Sequence, residues 1–102
     1  MASRLQLQTE LEELLGSKNV YFQPPESIQM KYPCIRYNLT SGDTLFASNE
    51  PYRYYRRYSV THIHADPDSN LIDVIPMHFK MSRHDRSYTA DGLNHDVYTI
   101  FY

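Results

Sequence analysis

His62 and His64 are the residues of this chain best placed by type and spacing to do chemistry. Side chains two apart along a strand point to the same side. An H-x-H pair therefore presents two imidazoles on one face, and two imidazoles so placed can share a metal ion. Asp66 and Asp68 follow closely, and His84, Asp85, His95 and Asp96 lie elsewhere in the chain. Gathered together, these residues would make a metallohydrolase site. Three features weigh against it. The pair continues the face of Tyr58 and Val60, which marks both histidines as half-buried sheet positions. Asp66 and Asp68 are accounted for as helix-start residues, with Asp66 as N-cap and Pro67 at the first helical position. No second cluster of ligand residues has tight spacing. No metal and no cofactor is expected.

Other constellations are weaker still. Asp66-Pro-Asp-Ser-Asn70 echoes a calcium loop but lacks the sixth-position Gly and the terminal Glu. Serine, histidine and aspartate all occur, without a nucleophile-elbow motif. There is no G-x-x-x-x-G-K-[ST] run and there are only three glycines, so a phosphate cradle is not expected. Arg53, Arg56 and Arg57 interleave with Tyr52, Tyr54, Tyr55 and Tyr58. Such a strand can hold single-stranded nucleic acid by phosphate charge and base stacking. It equally suits a polar or acidic protein surface. Lys80, Arg83 and Arg86 would lie beside it if their strands pair.

The elements that must position these residues read as follows. Ser3 to Gly16 is a predicted helix, since Leu7, Leu11, Leu14 and Leu15 form one stripe. Ser3 and Gln6 make a capping-box pair, and Gly16 suits the C′ position. Asn19–Phe22 reads as a brief edge strand stopped by Pro24-Pro25. Residues 33–39 read as a strand broken by Ser41-Gly42-Asp43. Thr44–Glu50 is a loop or the tip of a long hairpin, and Tyr52–Ala65 is the longest strand. A short helix carries Leu71, Ile72 and Ile75, with Pro76 as its stop. His78–Tyr88 is a further strand, Thr89–Leu93 a turn around Asp91-Gly92, and His95–Tyr102 the closing strand. The order α-β-β-β-α-β-β predicts one α+β domain over 1–102, a mixed, mostly antiparallel sheet with an N-terminal helix and a second short helix.

The closing strand is apolar on both faces. Val97, Thr99 and Phe101 share one side; Tyr98, Ile100 and Tyr102 share the other. A domain of 102 residues normally packs one face of its sheet, so the second face requires a helix or a neighbour. Ten of the fourteen aromatic residues are tyrosines, with rigid faces and polar tips that suit interfaces. Composition supplies no competing function. A formal net charge of −2 gives no bulk signal for nucleic acid or membrane. Residues 1–15 mix charges with leucines, so no leader is expected. The lone Cys34 excludes an intrachain disulfide and reads as an inert, half-buried thiol.

Leu-Leu-Gly at 14–16, Asn19-Val-Tyr-Phe-Gln-Pro-Pro25 and Met30-Lys-Tyr-Pro-Cys-Ile-Arg-Tyr37 are followed by Arg57-Tyr-Ser-Val-Thr61, Asp66-Pro-Asp-Ser69 and Tyr88-Thr-Ala-Asp-Gly-Leu-Asn-His-Asp-Val-Tyr98. Through these segments the chain resembles small virion proteins of tailed phages, the tail-terminator and tail-completion (head–tail joining) class. The resemblance spares mainly residues 41–52. It implies a structural protein and no enzyme: a hexameric ring that caps the tail tube and joins it to the head connector. The implied partners are copies of itself, the tail tube protein and a connector or neck protein, with no membrane and no sequence-specific nucleic acid. The implied location is the virion, after synthesis in the host bacterial cytoplasm. A neck or head-closure protein is the related alternative, and a nucleic-acid module using residues 52–58 the unrelated one. A ring needs two different patches that meet head to tail. The candidate interface residues are Tyr52, Arg53, Tyr55, Arg57, Val97, Tyr98, Ile100, Phe101 and Tyr102.

Overall fold

The computed structural model describes residues 4–47 and 50–102, with residues 43–47 and 50–54 described by backbone alone. The elements are α1 (Arg4–Leu15), β1 (Val20–Phe22), β2 (Cys34–Ala47), β3 (Glu50–His64), α2 (Leu71–His78), β4 (Ser82–Ala90) and β5 (Leu93–Phe101). The five strands form one sheet in the order β1-β2-β3-β5-β4. β1 runs parallel to β2, and every other pairing is antiparallel. The α+β class and the element order are as the sequence predicts.

The leucine stripe decides where α1 lies. Leu7 and Leu11 are fully buried, with Leu14 and Leu15 packed at the margin. Gly16 ends the helix at φ +74, and the amides of Gly16 and Ser17 both donate to the Glu12 carbonyl. Only glycine adopts that backbone without strain. Ser3, half of the expected capping box, lies outside the described residues. Gln8 ties the helix to the sheet: its Nε2 donates to the Val20 carbonyl at 2.9 Å, and its Oε1 accepts from the Tyr37 hydroxyl at 2.5 Å.

α2 joins α1 on the same face. Leu71 and Ile75 meet Leu7, Leu11, Ile35, Tyr37, Tyr58, Val60, Tyr98 and Ile100 in one core. The Asp66-Pro67 helix start is corrected. Asp66 Oδ1 accepts from the Asp68 amide at 2.9 Å, a side-chain-closed turn, and the helix begins only after Asn70. Pro76 does not stop it either. It sits inside the last turn, where its missing N–H forfeits a single bond, and the Phe79 amide still reaches the Ile75 carbonyl. His78 consequently belongs to α2, and β4 starts four residues later than the pattern suggested.

The break expected at Ser41-Gly42-Asp43 is also corrected. β2 runs through it, with Thr40 as an extra residue between Leu39↔Tyr58 and Ser41↔Arg57. A bulge lets a strand bend and carry on pairing. Of the stretch expected as a loop or hairpin tip, Thr44–Ala47 and Glu50 are thus strand. Tyr102 makes the last backbone bonds between the end of β5 and β3, exchanging them with Arg56. Beyond Gly42↔Arg56 the two strands continue for five more registered pairs, Asp43↔Tyr55 to Ala47↔Glu50. At about 3.3 Å per residue this ribbon extends roughly 17 Å past the body of the sheet. The molecule is accordingly elongated, 49 × 28 × 22 Å.

Asp91 and Gly92 both have positive φ, at 54° and 74°, and form the two-residue turn between β4 and β5. That backbone matches the twist of a tight hairpin. It places β5 between β3 and β4, so β5 is an interior strand.

Candidate functional site

The sheet has one helix-covered face and one helix-free face, and strand alternation assigns every residue to one of them. Tyr58, Val60, His62 and His64 of β3 look toward the helices, beside Asp96, Tyr98 and Ile100 of β5. The other face carries rows that cross four strands: Asn38–Ser59–Thr99–Arg83, Arg36–Thr61–Val97–Arg86 and Cys34–Ile63–His95–Tyr88. Arg57 and Phe101 continue it. Among the strand positions whose side chains are described, the charges here are Arg36, Arg57, Arg83 and Arg86 against Asp85 alone. Asp85 is the extra residue of a bulge in β4. Its Oδ1 accepts from Arg83 Nε at 2.8 Å and its Oδ2 from Thr99 Oγ1 at 2.5 Å. β5 therefore has two apolar faces because it is central: helices cover one, and long side chains of neighbouring strands flank the other.

That placement divides the expected interface residues. Tyr98 and Ile100 are fully buried beneath the helices and offer nothing to a neighbour, which corrects their assignment. Val97 is also buried, between Thr61 and Arg86. Tyr102 is half-buried, stacked edge-on against Phe79, with its hydroxyl donating to Glu10 Oε2 on α1. Phe101, Tyr55 and Arg57 keep part of their surface, and Arg57 Nε donates to Thr40 Oγ1 at 3.3 Å. Tyr52 and Arg53 lie outside the residues whose side chains are described; their backbones belong to the ribbon. Arg83 and Arg86 do not adjoin the Tyr/Arg strand, because β5 separates β4 from β3.

Chemistry concentrates on the covered face, at the end of the sheet near α2. His62 and His64 are both buried, and their rings stack at 4.2 Å with 19° between planes. β5 brings Asp96 directly opposite His62. His64 Nε2 lies 2.8 Å from Asp96 Oδ2. Ser87 of β4 donates to Asp96 Oδ1 at 2.6 Å, and His84 Nε2 lies 2.9 Å from the Ser87 hydroxyl. Burial alone would raise the Asp96 pKa, but the bonds from Ser87 and His64 and the nearby imidazoles hold it below the usual carboxylate range. Burial, with the adjacent His64, lowers His62 to about 4, against a weaker pull from Asp96. His62 is therefore neutral at physiological pH. A cleft of roughly 320 Å³ opens on this cluster between the Pro67 turn, Ile72 of α2 and the β4–β5 end, reaching His64, Asp96 and Ser87.

Ser87 with two histidines and an aspartate is not a hydrolase triad. In such a triad the serine proton goes to histidine and the aspartate holds that histidine. Here the serine proton is given to the carboxylate. Asp96 is the member that spacing did not connect to the histidine pair, since it lies thirty-two positions from His64. Only the strand order joins them. Cys34 is fully buried, and burial pushes its thiol up to about 11 despite Arg36, so it is a poor nucleophile. No helix among the described residues is long and apolar enough to cross a membrane. No family model, no curated protein and no solved structure matches this chain.

Proposed function

We propose that this chain is a structural subunit of a ring at the head–tail junction of a tailed phage, of the tail-terminator or tail-completion type. One observation carries the reading beyond the sequence resemblance: the β2–β3 ribbon that outruns the rest of the sheet by five residue pairs. A two-stranded ribbon is marginally stable alone and gains from a surface to lie on. In a ring that surface belongs to the next subunit or the next ring, a heterologous contact between unlike patches. The helix-free face, with its arginines, Phe101 and flanking tyrosines, is the kind of surface such a contact uses. A neck or head-closure ring makes the same demands.

Replacing residues 43–55 by Asn-Gly leaves Gly42↔Arg56 as the closing pair of a tight hairpin. The expected result is a folded protein, with circular dichroism and Tm close to the parent, that no longer supports joining of heads to tails. Particles that assemble normally with the shortened hairpin would reject the proposal.

A second reading rests on the charge of the helix-free face. Arg36, Arg83 and Arg86 with the stacked Tyr88–His95 pair, 4.8 Å between ring centroids, suit a single-stranded nucleic acid. It predicts salt-sensitive binding to an oligonucleotide, lost when the three arginines become glutamine. An affinity unchanged by these substitutions would remove it.

A further inference from the structure

We propose that His62, His64 and Asp96 form a binding site for one divalent transition-metal ion, of the zinc type, on the helix-covered face of the sheet. Each residue offers one ligand atom, and the three atoms lie within 4.8 Å of one another. Ligands around tetrahedral zinc stand about 2.0–2.2 Å from the metal and so a little over 3 Å apart. Closing that gap asks the two stacked rings to turn about their side-chain bonds so that one nitrogen of each faces the carboxylate. The backbone needs no change, because His62 and Asp96 already face each other across the β3–β5 ladder.

Several features point to a ligand rather than to an ordinary buried ion pair. His62 and His64 are at least nine-tenths buried, yet Nδ1 of each has no hydrogen-bond partner. A buried polar nitrogen left unpaired costs roughly 1–3 kcal/mol. One ion takes one nitrogen from each ring, and the unpaired Nδ1 of His62 is a donor atom that such an ion would satisfy. The Ser87 hydroxyl orients the carboxylate, the role outer partners play around metal ligands. Two imidazoles and one carboxylate are a borderline donor set that suits zinc and its first-row neighbours and fits calcium or magnesium poorly. The cleft reaches His64 and Asp96, so a fourth position faces water. The thiol takes no part, because Cys34 lies on the opposite face of the sheet.

The test uses the full, untagged chain stripped with a chelator and then titrated with Zn2+ in a calorimeter. One ion should bind per chain with a Kd in the micromolar range or tighter, and Tm should rise by several degrees. His62→Gln with His64→Gln should weaken binding at least a hundredfold, while His95→Gln, on the opposite face, should not change it. If the double variant fails to fold, Co2+ added to the parent chain decides. Tetrahedral visible bands, with two imidazoles in the X-ray absorption shell, support the site. An octahedral, imidazole-free spectrum overturns it. Zinc binding by the double variant equal to that of the parent overturns it as well.

Discussion

Tyr98→Ala is expected to lower stability by about 3–5 kcal/mol, as large-to-small changes of buried aromatic residues do. That is a large share of the roughly 5–15 kcal/mol that holds a domain folded. Tyr98 is fully buried at the middle of β5, in the core that joins both helices to the sheet. Its removal opens a cavity that no neighbour on a paired interior strand can move to fill. Tyr98→Phe should do the reverse. The Tyr98 hydroxyl is buried without a hydrogen-bond partner. Removing an unpaired polar atom is neutral or gains up to about 1 kcal/mol. Tyr37→Phe supplies the contrast, since the Tyr37 hydroxyl donates to Gln8 and accepts from Arg4 at 3.1 Å. It should cost on the order of 1 kcal/mol. Urea titrations of the three variants check the set; a destabilised Tyr98→Phe, or a Tyr98→Ala as stable as the parent, would contradict this account of the core.

Acidification of the metal-free protein is expected to cost about 3 kcal/mol between pH 6.5 and pH 4, most of it through His62. An unfolded histidine titrates near 6.5, whereas burial and His64 lower the folded pKa of His62 to about 4. Between those values the unfolded chain binds the extra proton and the folded chain does not. Stability therefore rises with pH across the window and levels off above it. Asp96 acts lower on the scale. Its folded pKa is depressed, so its contribution is present above the ordinary aspartate value and lost as pH falls through the folded one. Denaturant melts in a chelating buffer at half-unit pH steps would show the slope. His62→Gln should flatten it between pH 6.5 and 4 and leave the acid-side loss in place. An unaltered slope in that variant would reassign the effect to other groups.

Much of this fold was legible from local chemistry. The leucine stripe of α1, the glycine that ends it, and the Asp91-Gly92 turn each have one cheap backbone solution, and the chain adopts it. The misread places are those where pairing outweighs punctuation. Ser41-Gly42-Asp43 looks like a break, yet β3 offers a long partner, and one bulged residue keeps the ladder going. Pro76 looks like a stop, yet in the last turn of a short helix it removes only one bond. The two apolar sides of β5 were visible as well. Their cause was not, because an interior strand and a strand awaiting a neighbour carry the same pattern. The histidine pair was legible from its period of two. Asp96 was not, since no local spacing relates it to residues on another strand.

β4 forms one border of the sheet, nine residues long and exposed along nearly its whole length. Such a border offers free amides and carbonyls to any passing strand and invites fibrillar stacking. This one carries Arg83, Asp85 and Arg86 in close succession and kinks at Asp85. A second molecule approaching in register would set like charges against each other on a misaligned ladder. The sequence from 82 to 90 thereby opposes edge-to-edge pairing between copies of a tyrosine-rich polypeptide.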